Sequence, residues 1–126
     1  MKKTPVFLWQ DRVLKKIYTD EIYCLVTERN YTKFFLTTAP PYMVRCTLDS
    51  ALKILPADEF VKIYRRYAVS INFIQEIGRD YVLVPGEQFP LSRQYYKPLM
   101  KKLLIIGSRT PPAKESSVAL PPAANP

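Results

Sequence analysis

The sequence predicts a mainly β fold with one short internal helix and one C-terminal helix, and three observations lead to this prediction. Short runs rich in aromatic and β-branched residues follow one another from residue 6 to residue 91. Polar or proline-containing breaks, such as residues 28–30, 39–41 and 85–87, separate these runs. Only two segments have apolar residues at the spacing of a helix face. Many short strands with few helices indicate a β-dominated architecture.

The first half of the chain is predicted to form strands joined by short turns. Residues 12–18 alternate in part between apolar and polar side chains, which is the period of a half-buried strand. Residues 31–38 are rich in aromatic and β-branched residues, and the prolines that follow end this run because proline cannot donate to a strand ladder. The predicted strands are residues 6–9, 12–18, 22–26, 31–38 and 42–46, the last as the return strand of a hairpin.

A short helix is expected directly after these strands. Thr47 is a favourable N-cap residue. Leu48, Leu52 and Leu55 recur at the spacing of one helix face. Pro56 ends the segment, since proline cannot continue a helix interior.

The second half is expected to return to strands and to end in a helix. Residues 71–77 form an apolar run with a period near two, and residues 85–87 indicate a tight hairpin. Ser92 is a favourable cap for a final helix that runs to about residue 105 or 106, with Pro98 causing a kink or a later start. The predicted strands are residues 59–64, 67–69, 81–84 and 88–91.

Length and composition indicate one domain followed by a tail. The 126 residues suit a single domain, and the hydrophobic fraction of 48% is sufficient for a buried core. From Gly107 onward the composition changes to Pro, Ala and Ser. We therefore expect a domain at residues 1–106 and a disordered Pro/Ala-rich tail at residues 107–126.

The residue types that most catalytic and metal sites need are missing or dispersed. The chain has no histidine, which excludes Ser-His-Asp and Cys-His catalysis and His-containing zinc sites. Cys24 and Cys46 form no Cys-x-x-Cys pair, so we expect two small buried thiols in the reducing cytoplasm. The carboxylates are scattered and the glycines are isolated. These features disfavour an enzyme, and we expect no cofactor and no metal.

The charge of the chain favours a polyanionic partner. There are 19 Lys and Arg against 11 Asp and Glu, which gives a net charge of +8. Cations lie beside hydroxyl, amide and turn-forming residues in three clusters at predicted strand ends, which are residues 28–33, 62–67 and 92–94. Arg can form two hydrogen bonds to guanine, whereas Thr, Tyr and Lys can hold phosphates. Each cluster alone is typical of solvated surface charge, and their joint occurrence with the motifs below favours a nucleic-acid interface.

Several motifs occur together in a characteristic order and spacing. Glu21-Ile22-Tyr23 is followed by Asn30-Tyr31, and Val44-Arg45-Cys46-Thr47-Leu48 precedes the short helix. Leu55-Pro56 leads into the segment of residues 60–70, and Pro90-Leu91-Ser92-Arg93 precedes the last helix. Over residues 6–104 this pattern resembles the LytTR family, the DNA-binding domains of bacterial transcription regulators that include response regulators.

The resemblance implies an elongated fold of antiparallel β-sheets. It also implies transcription regulation by sequence-specific binding of double-stranded DNA, through inter-strand loops that enter successive major grooves at paired repeat sites, often with bending of the duplex. The implied partners are duplex DNA, a second copy on the neighbouring half-site and a separate signalling partner, such as a sensor kinase or a membrane protein. The domain itself is not expected to bind a membrane. The alternative is a small β protein-interaction module without nucleic-acid binding, whose charge serves solubility.

Carried over by position, the resemblance places the DNA contacts in three groups. These are Asn30, Tyr31, Thr32 and Lys33, then Tyr64, Arg65 and Arg66, and finally Ser92, Arg93 and Gln94 with Lys97. Arg93 is expected to contact a base, and Arg65 and Arg66 to contact phosphates or a groove edge. We expect Lys33, Arg65 and Arg93 to lie on one side of the protein.

Some of these assignments leave alternatives open. Tyr31 is equally suited to packing and to contact, and a solvated helix face explains Lys97 as well as a DNA contact does. Tyr64, Arg66 and Ser70 stand where the family has His, Ser and Asn. The base preference and phosphate contacts of the family are therefore not carried over unchanged to this loop.

Overall fold

A computed structural model describes residues 3–109 and contains ten strands and two α-helices in that range. The strands are β1 (Pro5–Gln10), β2 (Val13–Tyr18), β3 (Ile22–Glu28), β4 (Tyr31–Leu36), β5 (Tyr42–Arg45), β6 (Phe60–Tyr64), β7 (Tyr67–Ser70), β8 (Glu76–Ile77), β9 (Tyr81–Val84) and β10 (Glu87–Pro90). The helices are α1 (Leu48–Ile54) and α2 (Arg93–Lys101). This content confirms the predicted mainly β fold with one internal and one C-terminal helix.

The strands form three antiparallel sheets. The central sheet has five strands in the order β5-β4-β3-β7-β6. The β1–β2 hairpin forms a separate two-stranded sheet, and a third sheet has the order β10-β9-β8. Because β3 pairs with both β4 and β7, the antiparallel run β3–β4–β5 and the β6–β7 hairpin form one sheet.

Each face of the central sheet carries its own hydrophobic core. Side chains alternate between the two faces along a strand, so the apolar runs of this sheet supply both cores. The first core joins the sheet to the β1–β2 hairpin and α1 through Leu8, Ile17, Leu48 and Leu55. The second core joins it to the three-stranded sheet and α2 through Val82, Val84, Phe89 and Leu99. The central sheet is therefore the middle layer of three.

The start of α1 agrees with its sequence signals. The hydroxyl of Thr47 accepts a hydrogen bond from the Ser50 amide at 3.1 Å, which satisfies one of the free amides of the first turn. Leu48 and Leu55 are buried in the first core. An ion pair of 2.9 Å between Lys62 and Asp49 also connects β6 to the first turn of α1.

The final helix is shorter than predicted. It ends at Lys101, and the amide of Leu103 bonds to the Met100 carbonyl at 3.2 Å, so the last turn closes with three-residue spacing. Leu104 and Ile106 are fully exposed, which explains why packing does not extend the helix to residue 105 or 106. Ser92 occupies the N-cap position but its side chain makes no capping hydrogen bond.

The segment of residues 71–77 differs from its expected extended form. The apolar run at residues 71–77 is not one strand but a 3₁₀ turn, Ile71–Phe73, followed by the two-residue β8. Of the predicted tail at residues 107–126, residues 110–126 lie outside the described part of the chain.

No helix within residues 3–109 is long and apolar enough to cross a membrane.

Candidate nucleic-acid interface

Three connections meet at one end of the central sheet. The β3–β4 turn consists of Arg29 and Asn30, because Glu28 pairs with Tyr31. The β6–β7 turn lies beside it, since the Thr27 amide donates a hydrogen bond to the Arg66 carbonyl at 2.9 Å. The register of the sheet brings the last residue of β5, Arg45, opposite Tyr31. Residues far apart in the sequence therefore lie at the same sheet end.

The beginning of α2 belongs to the same region. The amide of Ser92 donates to the Ile63 carbonyl at 2.8 Å, directly before the β6–β7 turn. The rings of Tyr64 and Tyr67 stack across that turn with their centroids 5.4 Å apart. Arg93, the first residue of α2, therefore projects from a support that is bonded to the strand leading into the turn of Arg65 and Arg66.

Charge is divided between the two ends of the central sheet. The end just described carries exposed arginines, and we call it the basic end. These arginines are Arg29, Arg45, Arg65, Arg66 and Arg93. The turns that lead into β3 and β6 at the opposite end carry the carboxylates Asp20, Glu21, Asp58 and Glu59. Within residues 3–109 the ion pair joins Lys62 to Asp49, so no arginine of the basic end has a carboxylate partner there. The exposed Glu28 beside Arg29, and Asp80 in the groove that Arg93 lines, offset part of this charge, and the remaining positive field attracts polyanions.

Backbone strain is concentrated at the same end. Among residues 3–109, the non-glycine residues with a left-handed backbone are Asp11, with a φ of 60°, and Arg29, with a φ of 56°. Each lies in the turn of a β-hairpin, β1–β2 or β3–β4. Residues held in sparsely populated conformations cluster at functional sites, where the surrounding structure fixes them.

The predicted contact residues differ in their exposure. The exposed ones are Asn30, Tyr31, Arg65, Arg66, Arg93, Gln94 and Lys97, and the half-buried ones are Lys33, Tyr64 and Ser92. Lys33 pairs with Val26, which places it on the sheet face that α2 covers. Its side chain thus lies on the same side of the sheet as the helix that carries Arg93.

Thr32 is an exception, and its assignment as a DNA contact is wrong for this structure. The residue is 0% exposed. Its hydroxyl donates to the Cys46 carbonyl at 2.9 Å and lies 3.1 Å from the Thr27 hydroxyl, which in turn donates to the Tyr31 carbonyl. The alternation of β4 turns Thr32 inward between Tyr31 and Lys33, so it stabilises the turn instead of facing a partner.

Sequence reasoning missed several cations that the fold brings to these residues. Arg93, Gln94 and Lys97 line an open groove together with Arg79 and Arg109. A second groove contains Tyr31 and Arg45 together with Arg12 and Lys15 of the β1–β2 hairpin. The sequence places Arg12 in a short Asp-Arg turn between two predicted strands. It does not show which end of the central sheet this turn approaches.

The thiols and carboxylates do not form a metal centre in the described range. No group of three or more Cys, Asp or Glu side chains there could hold a metal ion. Cys24 and Cys46 are free, with Cys24 buried and Cys46 half-buried. Burial, together with the smaller effect of the Glu87 carboxylate, raises the pKa of the Cys24 thiol to about 12, so this thiol is protonated at neutral pH.

Comparison with known proteins supports a relationship to one family. The family model described as LytTr DNA-binding domain matches residues 12–104. A solved structure, the LytTr DNA-binding domain of a methyl-accepting/DNA response regulator from Bacillus cereus, has a TM-score of 0.67 at 20% sequence identity, with 80% of this chain and 97% of that chain covered. At this identity the likeness shows the fold. No curated protein matches the chain.

Proposed function

The chain belongs to the LytTR family of DNA-binding domains, and from this premise we propose that it regulates transcription by binding double-stranded DNA sequence-specifically. The observation that carries the proposal is the basic end, where exposed arginines from two turns, one strand end and one helix start form no ion pair with a carboxylate of residues 3–109. Duplex DNA carries one negative charge per about 1.7 Å of its axis, so such a row of cations gives strong electrostatic affinity.

We propose that the turns, and not a recognition helix, enter the DNA. The β3–β4 and β6–β7 turns protrude from a sheet that is packed on both faces, so their side chains are held in position before binding. Arg93 is suited to form a bidentate hydrogen bond with guanine, because its backbone is fixed at the start of α2 while its side chain is exposed. Arg65 and Arg66 are assigned to phosphates, which fix the position along the duplex.

The family resemblance extends the proposal to the arrangement on DNA. We propose that two copies bind paired repeat sites in successive major grooves and bend the duplex between them. A separate signalling protein would control this binding, and the protein would act in the bacterial cytoplasm. No catalytic step is proposed, since the family is defined by DNA binding.

Selection of bound sequences from a random pool of duplex DNA tests this function. A recovered motif of two repeats with constant spacing supports specific binding by two copies. A single copy of a motif supports specific binding and contradicts the paired arrangement. Recovery of no motif, with an affinity for duplex DNA that depends on salt alone, contradicts sequence-specific regulation. Absence of any DNA binding favours the alternative function, a protein-interaction module.

A further inference from the structure

An open groove lies between the turn of the β1–β2 hairpin and the central sheet. Its volume is about 1000 Å³. The hairpin contributes Trp9, Arg12 and Lys15, and the sheet contributes Tyr31 and Arg45. Trp9, Arg12 and Lys15 belong to no motif that suggested DNA contact, so the role of this hairpin is unassigned.

The hairpin is fixed in this position. The side-chain amide of Gln10 donates to the Met43 carbonyl of β5 at 2.9 Å. Inward-facing Leu8 and Ile17 anchor the same hairpin in the first core. The groove is therefore preformed, and a ligand that enters it does not need to order its walls.

The groove combines cations with exposed aromatic rings. Arg12, Lys15 and Arg45 are exposed and form no ion pair within the described range, whereas Asp11 is the one carboxylate that lines the groove. Trp9 is 60% exposed and Tyr31 is 39% exposed, although aromatic residues of this size are normally well buried. Phosphates suit the cations, and the apolar surface of deoxyribose suits the rings.

The groove also continues the basic end. Arg45 belongs to both, and Tyr31, which lines the groove and directly follows the β3–β4 turn, pairs with Arg45. The groove therefore adjoins the β3–β4 turn. We propose that this groove binds the sugar–phosphate backbone of duplex DNA that flanks the specific site. Arg12 and Lys15 contact phosphates, and Trp9 packs against the sugar. This inference rests on the proposed function.

Trp9 is the only tryptophan of the chain, so its fluorescence reports directly on the groove. The experiment compares two duplexes that share the selected site, one without flanks and one extended by a helical turn on each side. For the natural protein we expect the longer duplex to shield Trp9 from the neutral quencher acrylamide and to bind more tightly. The short duplex should leave Trp9 as accessible as it is in the free protein.

The double variant Arg12→Ala/Lys15→Ala provides the second part of the test. Loss of two phosphate contacts should lower the slope of log K against log salt by about 1.8 on the long duplex and leave it unchanged on the short one. The selected motif should also stay the same. Lys3→Ala/Lys16→Ala is the control, because it removes the same charge near Tyr18, at the far end of the hairpin.

The outcomes separate this inference from the proposed function. If the natural protein binds the selected site but the long duplex neither shields Trp9 nor binds more tightly, the groove proposal is wrong while the function stands. An equal fall of the slope in the double variant and its control would show general charge attraction, and would also overturn the proposal. If neither duplex is bound, the proposed function fails and the groove proposal fails with it.

Discussion

The amide of Thr27 donates a hydrogen bond to the carbonyl of Arg66 at 2.9 Å, which fixes the β6–β7 turn against the end of β3. The two turns on either side of this bond carry Arg29 and Arg65. Their cations therefore act from one rigid edge.

Replacement of Arg65 and Arg66 by alanine should weaken DNA binding mainly at low salt. Each phosphate contact that is lost should reduce the slope of log K against log salt by about 0.9. Titrations of the selected duplex over a range of salt concentrations measure this slope. Lys53→Ala removes an exposed charge from α1 and should leave the slope unchanged. An unchanged slope in the arginine variants would show that both residues are only solvated.

Arg93→Ala should reduce specific binding by about 1–3 kcal/mol and relax the preference at one base position. The physical reason is the loss of a bidentate hydrogen bond to a base edge. Competition between the selected site and its single-base variants measures the effect. Arg79→Ala removes the same charge from the same groove and should weaken all sequences equally. If Arg93→Ala behaves in the same way, Arg93 contacts phosphate alone.

Thr32→Val should lower the free energy of unfolding by about 1–2 kcal/mol, because the Cys46 carbonyl loses its side-chain donor in a buried site. The folded variant should bind DNA with the affinity of the natural protein. Denaturant unfolding and DNA titration measure the two quantities. Thr37→Val, at an exposed position, should change neither. Weaker DNA binding by a fully stable Thr32 variant would contradict the structural role.

Arg29→Gly should stabilise the protein by up to about 1 kcal/mol, since glycine adopts the left-handed backbone without the cost that arginine bears at a φ of 56°. Asn30→Gly is the matched control in the same turn. Asn30 has no left-handed backbone, so glycine there only adds freedom to the unfolded chain and should destabilise by about 0.4–1 kcal/mol. Thermal and denaturant unfolding compare the two, and destabilisation by both would contradict the prediction.

The stability of the protein should decrease in alkali through Cys24. Burial and, to a smaller extent, the Glu87 carboxylate raise the pKa of this thiol from 9.0 to about 12. Because the pKa is higher in the folded than in the unfolded state, the folded state is favoured while the thiol is protonated. This stabilisation is complete below pH 9 and is lost as the pH rises towards 12. The free energy of unfolding should fall more steeply over this range in the natural protein than in Cys24→Ala. Equal slopes in the two proteins would contradict this prediction.

The difference in burial between the two cysteines also has a chemical consequence. Cys24 is 2% exposed, whereas Cys46 is half-buried. A thiol reagent at mildly alkaline pH should modify Cys46 first in the native protein, and Cys24 only after unfolding. Mass spectrometry of the modified peptides distinguishes the two sites.

Some features of the site could be predicted because they depend on local sequence alone. Arg65 and Arg66 lie between two strand-like runs, which places them in a turn wherever those strands pair. The Thr47 cap likewise depends only on the three residues that follow it. Thr32 shows where this reasoning failed, because neighbouring residues of a strand face opposite sides and a contact segment cannot be assigned as one block.

The sequence by itself determined that this protein is built from short strands, lacks histidine chemistry and carries arginines in its turns, because these properties follow from residue type and from spacing over a few positions. Only the tertiary structure decided that the turns share one end of the sheet, and that Arg12 and Lys15 join them. The Gln10–Met43 bond spans 33 residues, and a contact over such a distance depends on strand order and hairpin packing. The helix end at Lys101 was decided in the same way, by the packing that stops after Leu103.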